Sequence, residues 1–229
     1  MSANQALQGA IEQGMVELGL HCPADLVLRL ERFIQNLVKW NKVYNLTSIR
    51  DPEAMVTLHL LDSLAVAPFL AELAAPVRVL DVGSGAGLPG IPLAMYYPQL
   101  EFVLLDSNGK KTRFLQQMQI ELKLTNVTVV QSRVEDYAGQ FELILCRAFA
   151  KLTDISQGLQ HLLADKGNLL AMKGKQEVDD ALSNIADDST QSALKIARVH
   201  ALQVPGIDAE RHLYVLQRLL NNHCDVQPS

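Results

Sequence analysis

The chain has 229 residues, is 48% hydrophobic and carries a net charge of −5, which suits one large α/β domain with a modest extension. Its acidic balance excludes an indiscriminate nucleic-acid coat, yet a local basic patch can still support selective, salt-sensitive RNA binding. Cys22, Cys146 and Cys224 form no C-x-x-C pair, no uninterrupted apolar run reaches the roughly 18 residues of a membrane span, and the N-terminus carries no export signal, so a reducing cytoplasm is expected.

Residues 1–70 read as a helical extension packed on the core, and residues 71–229 as a Rossmann-like domain. Leu26, Leu30, Phe33, Leu37 and Trp40 recur at three- and four-residue steps, an apolar stripe on one helix face. A polar loop at 41–50 follows, holding Tyr44, Asn45 and Thr47. A second helix starts at Pro52 with Asp51 as its cap and carries Met55, Leu58, Leu61 and Ala65. His59, Asp62 and Ser63 share one face of it, either closing over a ligand or forming a packed polar seam. From residue 77 strands are expected at 77–82, 100–105, 127–131, 141–146, 167–172, 195–204 and 211–218. Helices are expected at 89–96, 108–122, 151–164 and 175–186, with a loose polar loop at 187–192. The alternation implies a mostly parallel seven-stranded sheet. Pro205-Gly206 between the last two strands implies a hairpin-like return, hence an antiparallel late strand at or near the sheet edge.

The first strand ends in Asp81 and runs into Gly83, Gly85, Gly87 and Gly90. Glycine tolerates positive φ and close backbone approach, as a ligand laid on bare main chain requires. The literal G-x-G-x-x-G of Gly85, Gly87 and Gly90 allows a dinucleotide, and a tight structural turn is a third reading. Read from Asp81, the acid-x-G-x-G-x-G spacing is that of S-adenosylmethionine. A carboxylate there attracts an ammonium and a sulfonium and would repel a pyrophosphate. Asp106, ending the second strand, can accept from two ribose hydroxyls or cap the next helix. Lys110, Lys111 and Arg113 sit in that helix's first turn, where the macrodipole disfavours cations. They face either RNA phosphate or plain solvent. Arg133, Val134, Glu135 and Asp136 form either an adenine border or an ordinary acidic turn. Cys146 is a nucleophile or, without a Pro-Cys pair, a buried thiol. Arg147, at the fourth strand's end, suits a cofactor carboxylate, a phosphate, a guanine edge or a structural salt bridge. The Asn/Asp-Pro-Pro-aromatic tetrad of amino-group methylation is absent, and no cluster suggests a metal.

Trp40-Asn41-Lys42-Val43-Tyr44-Asn45-Leu46-Thr47, His59-Leu60-Leu61-Asp62-Ser63 and the run from Asp81 to Gly90 appear together with Leu105-Asp106-Ser107-Asn108-Gly109-Lys110-Lys111, Ser132-Arg133-Val134-Glu135, Arg147-Ala148-Phe149-Ala150 and Met172-Lys173-Gly174. In these motifs the chain resembles the bacterial glucose-inhibited division protein B family, the small-subunit rRNA guanine-N7 methyltransferases. The match spans roughly residues 37–175, and the two ends of the chain add little. The resemblance implies a class I S-adenosylmethionine-dependent methyltransferase fold and methylation of N7 of one guanine, position 527 of 16S rRNA. It implies cofactor contacts at Gly83, Leu88, Val134, Glu135 and Arg147. The physical argument adds Asp81 and Asp106, with Gly85 in the same turn. Arg147 and Lys173 are candidates to orient the guanine, and Lys110, Lys111, Arg113 and Arg133 to hold phosphates. The expected partner is 16S rRNA, in the small subunit or an assembly intermediate, bound by a monomer. A methyltransferase for small molecules or proteins, a NAD-dependent oxidoreductase and a non-catalytic adenosine-binding module are the competing classes.

Overall fold

Short apolar runs separated by helical segments build a seven-stranded sheet in the computed structural model, which describes residues 3–71, 73, 77–147, 151–174 and 194–218. The strands are β1 (Arg78–Val82), β2 (Glu101–Asp106), β3 (Val127–Gln131), β4 (Phe141–Arg147), β5 (Leu163–Gly174), β6 (Leu194–Leu202) and β7 (Arg211–Arg218), in the order β3-β2-β1-β4-β5-β7-β6. The first five are parallel, and β7 runs antiparallel to both β5 and β6. The late antiparallel strand therefore lies one place in from the edge, which β6 occupies. Strand order reverses between β1 and β4, so a crevice opens at their carboxyl ends, the usual ligand position in such sheets.

Side chains alternate between the two faces of the sheet. Val79, Phe102, Leu104, Leu143 and Leu145 join the apolar cluster on one face, and Leu80, Val103, Leu105, Ile144 and Cys146 join that on the other. Asp81 takes the next position on the first face, where α5 (Gly90–Tyr96) begins. On that same face, α1 (Ala3–Glu17), α2 (Ala24–Tyr44) and α6 (Gly109–Glu121) share one continuous core with the sheet. The expected α2 stripe is buried as far as Leu37, and Trp40 rests edge-on against Phe114 of α6 at 5.8 Å between ring centroids. The second face is covered by α7 (Leu152–Leu159).

Three expectations need correction. The polar loop expected at 41–50 begins only at Asn45, because α2 continues through Tyr44. The helix from Pro52 is not regularly wound. After α3 (Pro52–Met55), capped by Asp51 accepting from the Ala54 amide at 2.7 Å, a π-helical stretch Val56–Leu61 intervenes before α4 (Asp62–Leu64). The wider turn shifts the phase of every later side chain. Leu58 consequently leaves the core, while Val56, Leu60 and Leu64 enter it. An 18-residue window within Pro52–Leu70 has a mean hydropathy of 1.3, but 67% of it is buried within the protein, as in a core helix. The helix expected at 151–164 stops at Leu159 and passes through one 3₁₀ turn into β5, because Leu162 and Leu163 are drawn into the core beneath the sheet. The helix at 175–186 and the loop at 187–192 lie outside the described residues.

Phe33 is fully buried, 6.5 Å from Phe114 between ring centroids, so α2 belongs to the same cooperative core as the sheet. Phe33→Ala should lower stability by about 3–5 kcal/mol in a single urea transition followed by both circular dichroism and Trp40 fluorescence. Two separated transitions would show an extension that melts on its own.

Candidate active site

The glycine turn is held from beneath. Asp81 is entirely buried, and its Oδ2 accepts from the Ser84 hydroxyl at 2.6 Å and from the Gly90 amide at 3.0 Å. A side chain at position 90 would bring its Cβ to 2.6 Å from that oxygen and into Leu104, so only glycine lets the helix start reach the carboxylate. Gly83, Gly85 and Gly87 have φ of +67°, +58° and +79°, values that favour glycine. Asp81 is therefore chiefly a support for the turn and does not line the cleft. Its Oδ1, buried as well, has no hydrogen-bond partner among the described residues, an unusual state for a carboxylate oxygen. Burial raises the carboxyl to about 6 despite the opposing bonds from Ser84 and Gly90.

Asp106 ties the turn to the next helix. Its Oδ2 accepts from the Gly85 amide at 2.9 Å and its Oδ1 from the Asn108 amide at 2.8 Å. The cap of α6 itself is Asn108, which accepts from the Lys110 amide. Each Asp106 oxygen keeps further lone-pair capacity, so bonding the backbone does not exclude a ribose. Lys111 lies 3.6 Å from Asp106. That contact offsets the cost of a cation in the first turn of α6, and it puts Lys111 in the cleft. Lys110 and Arg113 remain exposed.

Above the turn lies a cavity of about 500 Å³ lined by Val82, Gly83, Asp106, Lys111, Arg133, Val134, Glu135 and Arg147, among others. Of the expected cofactor residues, Asp81, Gly85 and Leu88 are not among those lining it, and the Leu88 side chain is buried in the core. A second cavity of about 370 Å³ is walled by Leu58, His59, Asp62, Arg147, Met172, Lys173, Arg211 and His212. Among the described residues, Arg147 alone belongs to both linings. Because β7 is antiparallel, its first residues lie beside the last residues of β5, with His212 opposite Lys173 and Arg211 opposite Gly174. A sequence-distant pair thus reaches the reactive edge.

The second wall is built by the polar loop and the π turn. Asn41 Oδ1 accepts from the Thr47 amide at 2.9 Å while its Nδ2 donates to the Ile49 carbonyl at 3.0 Å. Thr47 Oγ1 lies 2.7 Å from His59 Nε2, and His59 Nδ1 lies 3.0 Å from the Leu58 carbonyl. These contacts assign the proton to Nδ1 and let the Thr47 hydroxyl donate to Nε2. Burial, then the nearby Arg147 guanidinium, push the imidazole below its ordinary range, in keeping with a neutral ring. Asp62 bonds Arg147 Nη1 at 3.0 Å and Arg211 Nε at 3.2 Å. The face shared by His59, Asp62 and Ser63 is thus a polar seam on the second cavity, with Ser63 bonding back to the His59 carbonyl at 2.6 Å. Arg211 and His212 were not singled out from the sequence, where no local pattern marks them. Cys146 is buried, and its thiol is pushed up to about 12 by burial. It is a packing residue.

Three comparisons with known proteins bear on these cavities. A family model described as GidB, rRNA small subunit methyltransferase G, matches residues 27–214. The chain is 46% identical to the ribosomal RNA small subunit methyltransferase G of Ectopseudomonas mendocina (strain ymp), over 95% of this chain and 99% of that protein. It is 45% identical to that of Pseudomonas aeruginosa (strain LESB58), over 91% and 94%. Among solved structures, an Aquifex aeolicus SAM-dependent methyltransferase superposes with a TM-score of 0.55 at 17% identity, covering 79% of this chain and 97% of that one. A ribosomal protein L11 methylase from Lactobacillus delbrueckii subsp. bulgaricus gives 0.52 at 16% identity, covering 69% and 76%. These two structures share the fold.

The raised Asp81 carboxyl makes a stability prediction. The folded state holds this proton up to about pH 6, whereas an unfolded Asp loses it near 3.9. Its contribution is therefore fully present below the unfolded value and disappears as pH rises through about 6. Between pH 7 and pH 5 the wild type should gain on the order of 1 kcal/mol relative to Asp81→Asn in urea titrations. A pH-independent difference would refute the assignment.

Proposed function

The chain belongs to the rRNA small subunit methyltransferase G family, and from that premise we propose that it transfers the methyl group of S-adenosylmethionine to N7 of a single guanine in 16S rRNA. The observation that carries this reading is the pair of cavities meeting at Arg147, one suited to the donor and the other to the acceptor. Protein-free rRNA, an assembly intermediate or the small subunit would present the guanine, in the cytoplasm.

The first cavity fits the cofactor by its chemistry. Asp81 Oδ1, buried without a hydrogen-bond partner among the described residues, would place negative charge under the turn and favour a cationic ligand in the cavity. A Cβ at Gly85 would meet only the Gly83 carbonyl, at 3.7 Å, and Lys111 Nζ, at 4.0 Å, so the glycine leaves space and bare main chain there. Gly83 and Gly85 would admit the ligand's backbone-facing edge, and Asp106 would receive ribose hydroxyls. Val134 and Glu135 would border the adenine. When bound, S-adenosylmethionine supplies a methyl group made electrophilic by the sulfonium.

The second cavity needs no general base. Guanine N7 carries an in-plane lone pair and no proton, so alignment is what the residues must supply, worth on the order of 7–11 kcal/mol in well-oriented reactions. Arg147 and Lys173 would donate to guanine O6 and leave the N7 lone pair free. Neutral His59, tied to Thr47 and Leu58, would keep the wall rigid without taking part in proton transfer. Lys110 and Arg113 would hold phosphates outside the cleft, and the exposed Arg133, which lines the donor cavity, would hold another at its edge.

Incubation with methyl-labelled cofactor and protein-free rRNA, small subunits or total protein, followed by nucleoside digestion, should yield labelled 7-methylguanosine from one site. Label in protein or in another nucleoside would overturn the reading. Arg147→Ala should slow methyl transfer about 100-fold at saturating cofactor, and wild-type turnover would exclude Arg147 from alignment. Lys110→Ala should weaken RNA binding with a salt slope reduced by about 1, while Lys111→Ala should chiefly weaken cofactor binding. Equal effects of the two substitutions on both ligands would contradict the division drawn between these lysines.

A further inference from the structure

Arg147 borders both cavities, so its usefulness depends on which one its guanidinium faces. One carboxylate bears on that choice. Asp62 Oδ2 lies 3.0 Å from Arg147 Nη1, and Asp62 Oδ1 lies 3.2 Å from Arg211 Nε. Arg147 comes from β4 and Arg211 from β7, two strands separated in the sheet by β5. The bridging side chain is 7% exposed, against 18% for Arg147 and 29% for Arg211. The carboxylate is thus the fixed point, and the guanidiniums are the partly solvated arms. Two charge-assisted bonds to different oxygens also restrict the carboxylate's own rotation.

The backbone directs Asp62 to this place. It follows the π-helical stretch Val56–Leu61, and its amide bonds back to the His59 and Thr57 carbonyls. The same stretch turns the Leu58 carbonyl toward Arg147 Nη1, 3.3 Å away. The π stretch and the residue that follows it therefore supply Arg147 with two acceptors, and π turns of this kind recur at functional sites. On the other side, the cofactor cavity has carboxylates of its own in Asp106 and Glu135, which would compete for a released guanidinium.

We propose that Asp62 is a positioning residue that holds Arg147 on the acceptor side, with Arg211 as the second strut of the same clamp. The proposal rests on the reading of Arg147 as the residue that aligns the guanine. Asp62 walls the acceptor cavity, but both of its oxygens are engaged by the two guanidiniums, so it acts through Arg147. Its loss releases Arg147 toward the donor cavity, so cofactor binding persists while the acceptor loses its guide. Arg147 and Arg211 are partly solvated already, so removing their shared partner leaves charges that water can reach.

The test compares Asp62→Ala, Asp62→Asn and Arg147→Ala in the full chain. It measures cofactor affinity by calorimetry, single-turnover methyl transfer to small subunits, and melting temperature. Asp62→Ala should slow transfer at saturating cofactor at least 10-fold and leave cofactor affinity within about twofold of wild type or tighter. Asp62→Asn, which keeps the shape and one acceptor oxygen, should recover part of the rate. A merely structural role predicts that cofactor binding and transfer fall together with the folded fraction, and that result would overturn the proposal. Wild-type transfer by Asp62→Ala beside a slow Arg147→Ala would overturn it while sparing the reading of Arg147. Wild-type transfer by Arg147→Ala would remove both.

Discussion

A fully buried carboxylate beneath the glycine turn is the constraint on which the site depends. Asp81 draws the first amide of α5 and the Ser84 hydroxyl onto one oxygen. With that anchor the turn can carry three glycines at positive φ and still hold one shape. The glycine at position 90 is a packing requirement, whereas that at position 85 leaves open main chain. One motif therefore contains two kinds of glycine, one serving the support and the other the ligand. The cost is a carboxylate out of water, which shows in its raised proton affinity.

The second cavity owes its walls to segments far from the glycine turn. The polar loop, the π turn and the first residues of β7 meet only because the sheet and the N-terminal helices share one core. This explains why a motif such as Trp-Asn-x-x-x-Asn-Leu-Thr, which carries no reactive chemistry, belongs to the site. Asn41 closes the loop, the loop places Thr47, and Thr47 fixes the tautomer of His59. The antiparallel β7 has a related consequence. A parallel strand in that place would bring its carboxyl end to the crevice, and Arg211 and His212 would lie at the opposite edge.

Buried strands and capped helices were readable from the chain because their signals are local. The strand at 127–131, the cap at Asp51 and the glycine turn all follow from residue type and spacing within a few positions. Asp106, Val134, Glu135 and Arg147, which strand ends and motif spacing single out, line one cavity at the carboxyl edge of the sheet. What residue type and spacing do not show is how each side chain is bonded: Asp81 holds the turn through Ser84 and Gly90. Leu88 packs inward. Lys111 is drawn to Asp106, a contact that spacing alone did not single out among three neighbouring cations.

What the amino-acid sequence determined by itself was the alternation of elements, the turn that can receive a ligand and the family to which these motifs belong. Each rests on short-range periodicity or on glycine's freedom of backbone rotation. Only the tertiary structure decided how the charges pair. Asp62 meets Arg147 and Arg211 across 85 and 149 residues of chain, and its aim depends on a π turn whose sequence, Val-Thr-Leu-His-Leu-Leu, reads locally as ordinary helix. Pairings of that range are set by how the sheet and the helices pack together, a property that no window of neighbouring residues contains.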